Sequence, residues 1–180
     1  ADTVVITATF SQAMADSPVP QIVITGSGIA NVAATNMTKT STTVYTFSYN
    51  VPTGDGTGTI TLATGTDPSG NLVTATPTSG ATFTVDNSAP TAAITYDSDS
   101  PYKDADTVTI TATFNEAMVD SPVPQIIITG SGIDTVAATN MTKTSSTVYT
   151  FSYNVPTGDG TGTITLATGT DLAGNAITTA

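Results

Sequence analysis

The chain has 180 residues, a net charge of −11, no Cys, Trp or His, and only three basic side chains, Lys39, Lys103 and Lys143. So few cations exclude nucleic acid as a partner, because phosphate binding needs clustered Lys or Arg, and they disfavour an anionic membrane surface. Without His or Cys, a Ser or Thr nucleophile has no ordinary base, and thiolate metal sites and disulfides are excluded, so the chain is expected not to be an enzyme.

The main regularity is a repeat. Residues 1–76 recur, shifted by 104, as residues 105–180, with 14 differences in 76 positions. A 28-residue joint, residues 77–104, connects the copies, and 180 residues plus one more such joint make two periods of 104. The chain therefore reads as a window on a longer periodic array. A period of about 100 residues is one ordinary domain. Two domains are expected, residues 1–88 without a first strand and residues 89–180 without a last one.

The elements follow in chain order from the end of the first copy. ATFTVD, residues 81–86, alternates with Phe83 and Val85 inward. TAAITY, residues 91–96, places Ala92, Ile94 and Tyr96 on one face. After the acidic loop DSDSPYKDAD comes TVTITATF, where Val108, Ile110, Ala112 and Phe114 alternate with Thr107, Thr109, Thr111 and Thr113. β-branched Thr suits the solvent face of a sheet. VPQIIITG turns Ile126 and Ile128 inward, and Pro122 and Pro124 confine its start to a sheet edge or entry. IDTVAAT is a weak strand and NMTKTSS a polar turn. TVYTFSYN places Tyr149, Phe151 and Tyr153 on one side, VPTGDGTG is a Pro and Gly turn, and TITLAT offers Ile164 and Leu166 inward. About seven short strands per period, with frequent turns and no helical stretch, predict an all-β sandwich. No window approaches the roughly 18 consecutive apolar residues of a membrane helix, so no membrane insertion is expected within it, and a secretion signal would lie outside it.

The strings TVDNSAPTAAITY and DTVTITATFNEAM, followed by GTDLAGN, resemble the bacterial and archaeal immunoglobulin-like repeats strung in tandem along large cell-surface proteins, adhesins among them. The resemblance covers essentially the whole period. Its most specific pieces are D-N-S-A-P, residues 86–90, and D-x-A-G-N, residues 171–175; the first copy departs from the latter with DPSGN at residues 67–71. The Cys pair and core Trp of antibody domains are missing. The resemblance implies tandem immunoglobulin-like, Greek-key sandwiches, an extracellular or cell-surface location, and a spacer role beside neighbouring repeats of the same or identical chains.

Thirteen of the 14 acidic residues are Asp, and the strand assignment places them in loops. Asp97, Asp99, Asp104 and Asp106 crowd four carboxylates into ten residues against one Lys, which calls for a solvated loop or a bound cation. Calcium is the candidate cofactor, since it accepts six to eight oxygen ligands in irregular geometry. Alternate loops of a sandwich share an end. The 97–106 loop is thus expected beside the turn carrying Asp159, and the loop of Glu116 and Asp120 beside Asp171. A seam between domains would collect Asp55, Asp86, Asn87, Glu116, Asp120 and Asp171. Asp as an ordinary strand terminator is the plainer reading.

Asn36 and Asn140 each open an N-M-T glycosylation acceptor pattern, in what reads as a polar turn. The Gly-rich PTGDGTGT at residues 52–59 lacks the Lys of a phosphate loop. Paired-carboxylate hydrolysis is opposed by the single Glu, which the first copy replaces with Gln12. The expected function is structural, a spacer or fibre of an adhesin, sheath or surface-layer protein. One alternative is a filament subunit joined to others by strand complementation, the missing strands of each copy being filled by a neighbouring chain. Another is a carbohydrate-binding module that recognises surface glycans through Tyr96 and Tyr102.

Overall fold

The computed structural model describes residues 2–178, and no helix occurs among them. The chain divides into two compact units, Ala1–Asn87 and Ser88–Ala180, one residue before the expected boundary. The first unit contains β1 (Thr3–Thr9), β2 (Gln21–Ser27), β3 (Val32–Asn36), β4 (Thr38–Lys39), β5 (Val44–Asn50), β6 (Gly56–Ala63) and β7 (Thr82–Val85). The second contains β8 (Ala92–Tyr96), β9 (Thr107–Phe114), β10 (Gln125–Ser131), β11 (Val136–Asn140), β12 (Thr142–Lys143), β13 (Val148–Asn154) and β14 (Thr161–Ala167).

All strand pairings are antiparallel, and each unit has two sheets. They run β1-β5-β4 and β3-β2-β6-β7 in the first, and β8-β9-β13-β12 and β11-β10-β14 in the second. The ladders keep one register in both copies: Ile6 faces Phe47 as Ile110 faces Phe151, and Ile24 faces Ile60 as Ile128 faces Ile164. Period-2 alternation makes that register strict, because a slip by one residue would turn every apolar side chain to solvent.

The two sheets of each unit close over one core. In the first unit Tyr45 and Tyr49 from one sheet meet Ile22, Ile24 and Ile60 from the other, with Met14 and Met37 between. In the second, Val108, Ile110, Ala112, Phe114 and Tyr149 meet Ile126 and Ile128, with Met118 and Met141. Each fully buried Ile contributes roughly 1.5–3 kcal/mol. Phe10 packs edge-on against Tyr45 and Phe114 against Tyr149, both with centroids 5.7 Å apart. The hydroxyls of Tyr45 and Tyr149 have no hydrogen-bond partner among the described residues, so ring burial must outweigh a desolvation cost of about 1–3 kcal/mol at each.

One local expectation needs correcting. The segment read as a polar turn after Asn140 forms β12, whose Thr142 and Lys143 pair with Thr150 and Tyr149. β10 is a central strand, and its two prolines lie at its entry, just before its first residue, Gln125, where neither removes a ladder bond.

Near-identical sequences are buried differently in the two units. β9 lies between β8 and β13, and its Val108, Ile110, Ala112 and Phe114 are 0–3% exposed. β1 forms the edge of its sheet, and Val4, the counterpart of Val108, is 49% exposed. At the opposite edge, β7 places Phe83 on Tyr49 at 5.5 Å and over Gly58, where an added Cβ would come within 2.4 Å of the ring. β14 has no such neighbour among the described residues, and Ile164 is only half-buried where its counterpart Ile60 is buried.

Val108→Thr is therefore expected to destabilise the second unit by about 1–3 kcal/mol by burying a hydroxyl, while Val4→Thr leaves the first unit within about 0.5 kcal/mol. Urea unfolding of the two variants checks this, and equal effects would contradict the difference in burial.

Candidate functional site

The carboxylates most strongly held by their surroundings are Asp67 and Asp171, the first residues of the D-x-x-G-N turns. Asp171 Oδ1 accepts the backbone N–H groups of Ala173, Gly174 and Asn175 at 2.7–2.9 Å, and its Oδ2 accepts the Asn175 side-chain amide at 2.8 Å. Asp67 is held likewise by the N–H groups of Ser69 and Asn71, both at 2.9 Å, and by the Asn71 side-chain amide at 2.7 Å. The Gly of each turn has positive φ, 88° at Gly70 and 98° at Gly174, which glycine adopts without steric cost. Backbone groups supply most of these bonds, which explains why the two intervening residues differ between DPSGN and DLAGN.

Asp67 is 7% exposed and Asp171 only 1%. Burial pushes the Asp171 carboxyl up, but the Asn175 amide and the backbone N–H donors outweigh it and hold the group below the usual carboxylate range. Asp67 is lowered first by the Asn71 side chain, then by backbone donors and Gln12.

The residue facing this Asp distinguishes the copies. In the first unit Gln12 donates its amide to Asp67 Oδ2 at 2.7 Å. In the second, the equivalent residue is Glu116, with a carboxylate oxygen within 4.8 Å of one on Asp171. The Glu116 loop is held there by the Met118–Asp171 bridge and by the Val119 N–H donating to the Thr170 carbonyl at 3.0 Å. An amide–carboxylate hydrogen bond thus becomes a pair of neighbouring carboxylates, whose like charges a cation would offset. Oxygen ligands of this kind suit a hard cation such as calcium or magnesium.

Of the other expected ligands at this end, Asn87 and Asp120 are engaged elsewhere. Asp86 is exposed and directly follows β7. Asn87 closes a turn of its own unit, its N–H donating to Asp55 Oδ1 at 2.5 Å and its amide to the Gly54 carbonyl at 2.9 Å. Asp120 pairs with Lys143, as Asp16 does with Lys39; both are exposed pairs of small energetic weight.

The 97–106 loop does lie beside the Asp159 turn, since Asp104 Oδ1 accepts the Gly158 N–H at 3.3 Å. Its carboxylates nevertheless do not converge. The Thr109 hydroxyl and backbone lower Asp97, Asp106 accepts the Lys103 N–H at 3.0 Å, and Asp99 is exposed. No three of them come within 4.8 Å of one another among the described residues. Asp97, Asp104 and Asp106 each meet a different donor, on β9, the Asp159 turn and the loop's own backbone, which the crowding of Asp in sequence does not reveal.

Asn36 and Asn140 end β3 and β11 and are not in turns. Each accepts an amide hydrogen at 2.8 Å, from Gln21 and Gln125, while the neighbouring Met37 and Met141 are core residues. Tyr96 is exposed and tilted against half-buried Tyr102 at 6.3 Å, and the Tyr102 hydroxyl donates to the Ser98 carbonyl.

No protein family, no curated protein and no solved structure matches this chain. Among the described residues no helix is long and apolar enough to cross a membrane.

The lowered Asp67 and Asp171 predict acid sensitivity of a definite sign. A carboxyl whose folded-state pKa lies below the unfolded value of 3.8 contributes stability that is complete above that value and lost as pH falls through the folded one. The urea midpoint should therefore drop below about pH 4. The double variant Asp67→Asn, Asp171→Asn should be less stable at neutral pH but have a flatter acid profile. Parallel profiles for the two proteins would contradict the assignment.

Proposed function

We propose that the chain is a structural, non-catalytic pair of immunoglobulin-like repeats that acts as a spacer in an extracellular, cell-surface protein of the adhesin, sheath or surface-layer kind. The observation that carries this reading is the self-sufficiency of each repeat: each closes a core from its own two sheets, with the same ladder register recurring 104 residues later. A module that folds on its own residues extends an array by simple addition, and neighbouring repeats are then its partners. The strand order supports the immunoglobulin-like assignment. β8-β9-β13-β12 follows the A-B-E-D order of one immunoglobulin sheet, and β10 beside β14 follows C-F of the other, with β7 supplying the G position in the first unit.

If the repeats are independent spacers, pulling one chain by its ends should give two separate unfolding events. Each would release about 30 nm of contour length, for roughly 90 residues at 3.3–3.6 Å each. A single event of twice that length would refute the reading.

Calcium at the Glu116–Asp171 pair is the finer part of this proposal, with exposed Asn36 and Asn140 as acceptors of N-linked sugar. A cation between the two carboxylates would stabilise the folded state by mass action. Millimolar calcium is expected to raise the melting temperature of the chain relative to a chelator. Glu116→Gln should abolish that response and, in chelator, stabilise the second unit by about 1 kcal/mol by restoring the amide–carboxylate hydrogen bond that Gln12 makes with Asp67. Identical melts with and without calcium would remove the metal from the account.

A further inference from the structure

β4 and β12 each form one edge of their sheet and are paired on one side alone among the described residues. Both read Thr-Lys, so two of the chain's three basic residues, Lys39 and Lys143, stand on these edges. Register sets Lys39 directly opposite Tyr45 and Lys143 opposite Tyr149, the buried tyrosines of the two cores. Residues opposite one another in a ladder project from the same face, so each lysine leaves its edge on the core-facing side. There it pairs with a carboxylate of the loop that crosses to the other sheet, Asp16 between β1 and β2 and Asp120 between β9 and β10. The lysine side chains are 38% and 40% exposed against 87% and 82% for their partners, so the cation is the more covered member of each pair. The Thr40 and Thr144 N–H groups donate to the carbonyls of Val44 and Val148 at 2.8 Å. Backbone direction alternates along an antiparallel strand, so the N–H and C=O of the lysine before each of them point away from the sheet, toward anything that approaches the edge.

We propose that the Lys39–Asp16 and Lys143–Asp120 pairs guard the β4 and β12 edges against pairing with a second copy of this chain. Every copy offers the same Thr-Lys edge, and like edges pair antiparallel about a two-fold axis. Since the outward backbone groups belong to the lysine, that pairing would set lysine opposite lysine on the core-facing side, where like charges repel. The added strand would also cover the ammonium and strip water from the ion pair. Asp16 and Asp120 hold each ammonium over the edge, instead of letting the long side chain swing away into solvent. A short edge strand and an inward-pointing charge are two of the devices that blunt strand addition, and both occur here together. The inference does not depend on the spacer reading, since it follows from the edge strand and its ion pair.

The test compares the full chain with two double variants, Lys39→Thr with Lys143→Thr and Lys39→Arg with Lys143→Arg. Threonine removes the charge and sets Thr opposite Thr, a favourable cross-strand pair, while arginine keeps the charge. At about 1 mM chain, sedimentation should show the parent and the Arg variant as monomers and the Thr variant as concentration-dependent dimers and higher oligomers. Amide exchange at positions 39 and 143 of the Thr variant should slow roughly tenfold as these form. Lys39→Met with Lys143→Met, which keeps an unbranched stem beside the tyrosine, is read the same way should the Thr variant fail to fold. The proposal is overturned if the neutral, folded variant stays monomeric, or if it associates without protecting those two amides. It is also overturned if the parent or the Arg variant associates through them as well.

Discussion

The register of the antiparallel ladders is the constraint from which the rest of each unit follows. Once Ile24 faces Ile60 and Ile6 faces Phe47, every second side chain points between the sheets and the intervening Thr residues point out. A Thr-rich chain with few long apolar side chains can form a core because the alternation directs most of those in its central strands inward. Met14, Met37 and their counterparts fill the gaps between the sheets with a side chain flexible enough to suit irregular space.

Burial, by contrast, is a property of neighbours. Val4 and Val108 occupy equivalent positions in matching strands, yet one is half exposed and the other closed off, because among the described residues only the second has β8 and its following loop beside it. Tyr49 and Tyr153 show the same effect at the opposite edge, where Phe83 covers the first and no described residue takes that place on the second. A strand's apolar face is stable in proportion to what covers it, so two copies of one sequence can have different weak points.

The acidic residues separate into those spent on architecture and those left facing one another. Asp67 and Asp171 are ligated by backbone N–H groups and are structural in the sense of a helix cap: they satisfy donors that a turn would otherwise leave unpaired. Replacing Gln12 by Glu116 converts the neighbourhood of one such turn from a closed hydrogen bond to a concentration of negative charge. One substitution between copies thus changes the chemistry of a loop without touching the fold.

Much of the fold was legible in the sequence. Period-2 alternation in TVTITATF and TVYTFSYN, the Gly and Pro turns and the 104-residue repeat specify two β units and most of their inward residues, because side-chain direction in a strand follows from position alone. Grouping alternate loops at one end of a sandwich also places the 97–106 loop by the Asp159 turn and Glu116 by Asp171. Only the tertiary structure decided the rest. β12 was hidden because two polar residues carry no period, and the four Asp of the 97–106 loop do not converge because Asp97, Asp104 and Asp106 each turn to a different donor. The different exposure of matching side chains lay outside the sequence for the simplest reason: it depends on which strand lies next door, and pairing between strands is a long-range choice that no residue makes by itself.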